Sequence, residues 1–256
     1  MDVRFATAAT PGRRNEDLVI ATDEFVIVLD GVTSPPHVPT GCVHDPVWLV
    51  RTLGSILATA LTCHPQETLT ALLANAIADL RSTHSGSCDL SHPESPSSTV
   101  AVVRERHDIV DYLVLCDSTV VLTNHDGGVI RIVTDDRTAH LHGLTRAAVA
   151  ELRNVPGGFW VASTDPAAAA QALTGSLERS LIGTALVCTD GATRLVDRFG
   201  RTWPEMLRLV ETGSVRDLLH AVRVAELAGG PASSGKQHDD ATMAVCSFAQ
   251  PWSAAR

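Results

Sequence analysis

Five apolar stretches of this chain begin or end at an acidic residue, and that arrangement constrains the fold more than any other feature of the sequence. Val26-Ile27-Val28-Leu29 runs into Asp30-Gly31, Leu113-Val114-Leu115-Cys116 into Asp117-Ser118, and Ala185-Leu186-Val187-Cys188-Thr189 into Asp190-Gly191. Asp239-Asp240 opens Ala241-Thr242-Met243-Ala244-Val245, and Glu16-Asp17 opens Leu18-Val19-Ile20-Ala21-Thr22. Short continuous apolar runs read as buried strands. Carboxylates at their ends then meet at one rim of the sheets, where like charges repel and raise one another's pKa. A divalent cation relieves that repulsion, and oxygen donors without His or Cys suit Mg²⁺ or Mn²⁺ better than zinc or copper. Taken singly, each Asp-Gly is most simply a turn former at a strand end; the argument rests on the set.

The elements between these motifs do not alternate as a parallel doubly wound sheet requires. Leu18 to Thr22 and Phe25 to Asp30, separated by Asp23-Glu24, read as a hairpin. Apolar residues at helical spacing follow in two blocks, Trp48 to Leu61 and Leu69 to Leu80. Thr99 to Val103, Ile109 to Cys116, Thr119 to Thr123 and Val129 to Val133 read as an antiparallel meander, and the mixed segment from Ala139 to Gly183 as short helices only. A buried strand (Thr184 to Thr189), two helices (Trp203 to Glu211 and Val215 to Leu227), a Gly/Ser-rich loop (Gly229 to Lys236) and a strand (Ala241 to Ser247) close the chain. The expected class is α+β, with antiparallel sheets and helices packed outside. The Pro- and Gly-rich stretches fall between elements of one fold, so residues 1–256 are read as a single domain.

Composition narrows the partners. With 20 Lys and Arg against 29 Asp and Glu, a net charge of −9 gives no positive field for nucleic acid or an anionic membrane. The first residues lack the pattern of a secretory signal, and no uninterrupted apolar run approaches a membrane span of ~18 residues, so the chain reads as cytoplasmic. The six cysteines are scattered without a CxxC pair. Neither a disulfide framework nor a zinc site is implied, and Cys42 and His44, two apart, have no second pair in register.

Asn15-Glu16-Asp17, Leu29-Asp30-Gly31, Ser98-Thr99-Val100, Cys116-Asp117-Ser118, Cys188-Thr189-Asp190-Gly191 and His238-Asp239-Asp240-Ala241-Thr242 resemble, in order and over nearly the whole chain, the motif series of the metal-dependent PP2C (PPM) serine/threonine phosphatases of bacterial type. The resemblance implies an αββα sandwich of two antiparallel sheets, with two Mn²⁺ or Mg²⁺ ions at one edge and a phosphorylated protein as substrate. It implies that Asp30 bridges the metals and the Gly31 carbonyl completes one coordination sphere. Asp190 and Asp239 would serve one ion, and Asp17 with Glu16 the other.

An arginine upstream would clamp the phosphate bidentately. The family places it five residues before the metal-binding aspartate, where this chain has Gly12; Arg13 is favoured, with Arg14 the alternative. Val32-Thr33-Ser34-Pro35-Pro36 replaces the family's glycines and histidine, leaving His37 and His44 as candidate general acids. Asp117 resembles a ligand of a third metal, but the usual partner, four residues after Asp190, is here Arg194. Asp30-Gly31-Val32-Thr33 also resembles the haloacid dehalogenase motif, whose nucleophilic aspartate would fall at Val28 and is therefore missing. The alternative to an active phosphatase is a PP2C-like regulatory or binding module.

Overall fold

The structure is a computed structural model that describes residues 1–32, 38–84, 86, 88–141, 143–229 and 236–249. Among the described residues the strands are β1 (Asp2–Ala8), β2 (Asp17–Ala21), β3 (Phe25–Gly31), β4 (Ser98–Arg106), β5 (Ile109–Leu115), β6 (Thr119–Thr123), β7 (Val129–Thr134), β8 (Leu173–Glu178), β9 (Thr184–Cys188) and β10 (Ala241–Ser247). The helices are α1 (Pro46–Cys63), α2 (Leu69–Thr83), α3 (Arg146–Glu151), α4 (Asp190–Asp197), α5 (Trp203–Thr212) and α6 (Val215–Ala228). One sheet runs β1-β10-β9-β6-β7 and the other β2-β3-β4-β5-β8. Both are antiparallel throughout.

The αββα order follows from strands that are apolar on both sides. Along β3, Phe25, Ile27 and Leu29 pack with Leu49, Leu53 and Leu57 of α1 and Leu73 and Ile77 of α2. Val26 and Val28 of the same strand face the other sheet, meeting Val120, Leu122, Val187 and Ala244. A third layer joins Leu186, Met243 and Val245 to Leu195, Met206 and Leu218 of α4 to α6. With no polar face to present to solvent, β3 is placed in the interior.

The hairpin, both long helices and the closing strand match the sequence reading, and four features correct it. First, the run from Thr99 to Val133 is no single meander. β4 and β5 belong to one sheet and β6 and β7 to the other, and the chain crosses between them at Cys116, whose φ is +71°. Alternation cannot reveal such a crossing when both sheets bury both faces. Second, β1 and β8 are additional strands; each lies at a sheet edge with much of its surface exposed, so its hydrophobic signal is weak. Third, the segment from Ala139 to Gly183 therefore holds a strand as well as short helical turns. Fourth, α4 begins at Asp190 itself. By length and composition α1 is apolar enough to span a bilayer, although Arg51 interrupts its apolar run. In this fold it lays Leu49, Val50, Leu53, Leu57 and Leu61 against the second sheet and α2.

Candidate active site

The two sheets bring their acidic ends to one edge. In the β2–β3 ladder Asp17 stands directly opposite Asp30, and Thr99 of β4 flanks Asp30 on its other side. In the facing sheet β9 leads into Thr189 and Asp190, while β10 is preceded by Asp239 and Asp240. The Thr189 hydroxyl donates to Asp17 Oδ2 at 3.0 Å and accepts from the Thr242 amide at 3.0 Å, tying the sheets together at this edge. Asp117 arrives from the crossover between β5 and β6, beside a hydrogen bond of 2.6 Å between the Thr99 and Ser118 hydroxyls. Asp30 of β3 and Asp190 at the start of α4 are within hydrogen-bonding reach of each other.

Two glycines make this convergence possible. A Cβ on Gly31 would stand 2.7 Å from the Glu16 carbonyl oxygen, which accepts from the Gly31 amide. A Cβ on Gly191 would stand 1.8 Å from the Asp240 carbonyl, so only glycine lets the first turn of α4 approach β10 this closely.

The aspartates are electrostatically frustrated. Burial, with Asp240 and Asp190 adding repulsion against hydroxyls from Thr242 and Thr189, pushes the Asp17 carboxyl up to about 8. Asp30 is driven well above the carboxylate range by burial and then by Asp17, Asp190, Asp117 and Asp239. Burial and the charge of Asp190 raise Asp117 to about 6. Asp190 rises through burial and Asp239, partly offset by Arg194. Asp17 Oδ1 is buried with no hydrogen-bond partner among the described residues. A buried orphan oxygen among repelling carboxylates, all of them hard oxygen donors, fits a hard divalent cation.

This frustration has a pH signature. Four folded-state carboxyls titrate above their ordinary value of 3.8, so the stability they contribute is present below that value and is lost as pH rises, through about 6 for Asp117 and about 8 for Asp17. Metal-free wild type should therefore lose Tm relative to Asp17→Asn between pH 5 and 8. Added Mn²⁺ should restore it while releasing protons. Scanning calorimetry of both proteins checks this; a gap that does not change with pH contradicts it.

Beside the rim lies an open cleft of about 420 Å³ lined by Thr10, Arg13, Arg14, Glu16 and the segment from Lys236 to Asp240. Asp240 builds one wall of it, a role the sequence did not reveal. Its carboxylate accepts from the Thr10 amide at 2.6 Å and the Glu16 amide at 2.5 Å, pinning the loop that carries both arginines. The clue was the doubled acid: consecutive residues entering a strand point to opposite sides, so Asp239 and Asp240 serve different neighbours. Arg14 is engaged by Asp45 at 2.8 Å. The exposed Arg13 guanidinium has no partner among the described residues.

Arg194 was also missed as a positive participant. It is buried, donating to Glu226 Oε1 at 2.7 Å and to Asp239 Oδ2 at 3.0 Å, while Lys236 reaches Asp239 Oδ1 at 3.1 Å. The position where the family has a further carboxylate thus holds a cation that supports a rim aspartate. His238 lines the cleft with its Nδ1 2.7 Å from buried Glu226. Of the proposed acids, His37 lies outside the described residues. His44 is turned to Cys42 and stacked on Trp48, and is not part of the cleft lining.

The comparisons agree with this fold. Structural matches include a bacterial serine phosphatase, 15% identical over 98% of this chain and 99% of that one, with TM-score 0.60. The PPM Ser-Thr phosphatase MsPP from Mycobacterium smegmatis, in complex with cacodylate, is 16% identical over 97% and 99%, with TM-score 0.61. The catalytic domain of the serine threonine protein phosphatase PstP, in complex with two manganese ions, is 16% identical over 95% and 96%, with TM-score 0.56. Identities this low establish a common fold. Comparison with the curated proteins gives no match. A family model described as Protein phosphatase 2C matches residues 12–222, and with most of its length covered and its fold shared, the chain belongs to the protein phosphatase 2C family.

Proposed function

We propose that this protein hydrolyses phosphoserine and phosphothreonine monoesters on proteins, in dependence on two Mn²⁺ or Mg²⁺ ions held by the aspartate rim. The observation that carries the reading is the meeting of Asp17, Asp30, Asp117 and Asp190 from two sheets, each with its carboxyl raised by burial and by acidic neighbours. Asp30, central to the cluster, would touch both ions, with Asp190 and Asp239 on one and Asp17 and Glu16 on the other. The Gly31 carbonyl would complete one sphere. When bound, such cations neutralise phosphoryl oxygens and lower the pKa of the attacking water.

The chain's own residues supply the rest. Arg13 lines the cleft with no partner among the described residues, on the loop that Asp240 pins, and would take the phosphate by a bidentate contact. The cleft is open and polar, which suits a phosphorylated side chain presented on another protein's surface. Asp239 is already paired with Arg194 and Lys236, so a cation must compete for it. That observation favours a second reading, a regulatory module with weak metal affinity.

The readings separate on phosphate release from phosphothreonine and phosphotyrosine peptides with Mn²⁺. Turnover restricted to the phosphothreonine peptide supports the phosphatase; no turnover supports the module. Losing a charge-assisted contact in Arg13→Ala should raise KM about 10–100-fold, whereas Arg14→Ala should change it about twofold or less, since Arg14 sits in an exposed pair with Asp45. Steady-state kinetics of both variants decides, and the reverse order would transfer the phosphate contact to Arg14.

A further inference from the structure

Away from the aspartate rim, Cys42, His44, His84 and Cys88 bring their ligand atoms within 4.8 Å of one another. Cys42 and His44 lie just before α1, while His84 caps the C-terminus of α2 and Cys88 follows in the next loop. Helices α1 and α2 pack against each other, and a hydrogen bond of 2.7 Å from the Asp89 amide to the Gly41 carbonyl joins the two loops. The fold thus supplies the second pair that the spacing did not show. That pair lies 40 residues on and in reversed order, His84-x3-Cys88 answering Cys42-x-His44.

Four of the six distances between these donor atoms lie close to the edges of a tetrahedron around one ion. Zinc bonds of about 2.3 Å to sulfur and about 2.0–2.1 Å to nitrogen imply edges of roughly 3.8 Å for S···S and roughly 3.5 Å for S···N. Here Cys42 Sγ stands 3.4 Å from Cys88 Sγ, 3.3 Å from His44 Nδ1 and 3.5 Å from His84 Nδ1. Cys88 Sγ stands 3.6 Å from His44 Nδ1. The sulfur separation is far beyond a disulfide bond of about 2.05 Å. Trp48 walls one side, stacked on the His44 ring with centroids 3.7 Å apart and edge-on to His84 at 5.0 Å. His84 Nε2 is buried without a hydrogen-bond partner among the described residues, and the ring contacts Cys42 through Nδ1 and Trp48 edge-on.

We propose that Cys42, His44, His84 and Cys88 form a structural zinc site, closed by four protein donors and separate from the aspartate rim. Both cysteines bind as thiolates and give their protons to solvent. The ion clasps the open end of the α1–α2 pair and fixes the start of α1, where Asp45 caps the helix and holds Arg14. Its softer donor set selects zinc where the all-oxygen rim selects Mn²⁺ or Mg²⁺.

The full-length protein, purified with zinc and dialysed without chelator, tests this by elemental analysis. One zinc per chain is expected, retained in Asp30→Asn and lost in Cys42→Ser and Cys88→Ser. Exchange into cobalt avoids dependence on variants that fail to fold. Wild type should then show intense visible bands of tetrahedral Co²⁺ with sulfur-to-cobalt charge transfer in the near ultraviolet. No retained zinc, a Cys42–Cys88 disulfide in the isolated protein, or only the weak bands of oxygen-bound cobalt would overturn the proposal. None of these outcomes depends on whether the rim hydrolyses phosphate.

Discussion

Asp30→Asn should lower kcat for a phosphothreonine peptide by about a hundredfold or more while leaving the metal-free protein as stable as wild type or more so. The two effects have opposite signs for one physical reason. Asp30 sits among Asp17, Asp190, Asp117 and Asp239, and burial with their charges drives its carboxyl well above the usual range. An amide of nearly the same shape removes a charge that is unfavourable without metal, and removes the same charge that would bridge two cations. Activity lost together with stability would instead indicate damage to the β2–β3 ladder. Kinetics and thermal unfolding in chelator, read on one preparation, separate the cases.

Glu226→Ala should destabilise the protein by about 3–5 kcal/mol, the range for breaking a buried ion pair by removing one partner. Glu226 is fully buried and accepts from Arg194, Arg223 and His238. Arg194 Nε already lacks a partner among the described residues, so among them truncation leaves a buried guanidinium held by Asp239 and the Gln237 carbonyl. That guanidinium should then hold Asp239 more tightly and raise the Mn²⁺ concentration needed for half-maximal activity. Urea unfolding and a Mn²⁺ titration of activity measure both. A loss of stability under about 1 kcal/mol would mean that Arg194 finds water or another acceptor.

The sequence carried the interior of this fold and lost its edges. Val26 to Leu29 and Ala241 to Ser247 were legible because strands covered on both faces are continuously apolar, and α1 and α2 because one face of each repeats at helical spacing. The edge strands β1 and β8 carry little such signal, and the change of sheet at Cys116 leaves no mark on periodicity. Within the site, Asp17, Asp30, Asp117, Asp190 and Asp239 stood out as strand-end acids in a recognisable order. Asp240, Arg194 and Glu226 did not, because their roles arise from contacts between distant segments: Asp240 with Thr10 and Glu16, and Arg194 with both Glu226 and Asp239. The Cys42 cluster was hidden in the same way, each half being unremarkable alone.

The acidic excess of the chain, −9 in net charge, acquires a location: several of its carboxylates share one rim and repel one another. Two divalent cations would cancel about four of those charges, and ion charge belongs in the account of such a site. The most direct measurement is phosphate release from a phosphothreonine peptide as Mn²⁺ is titrated into chelator-treated protein. The rim predicts no turnover at zero Mn²⁺, recovery with Mn²⁺ in wild type and none in Asp30→Asn. Turnover that survives the chelator, or that returns equally in Asp30→Asn, would contradict it.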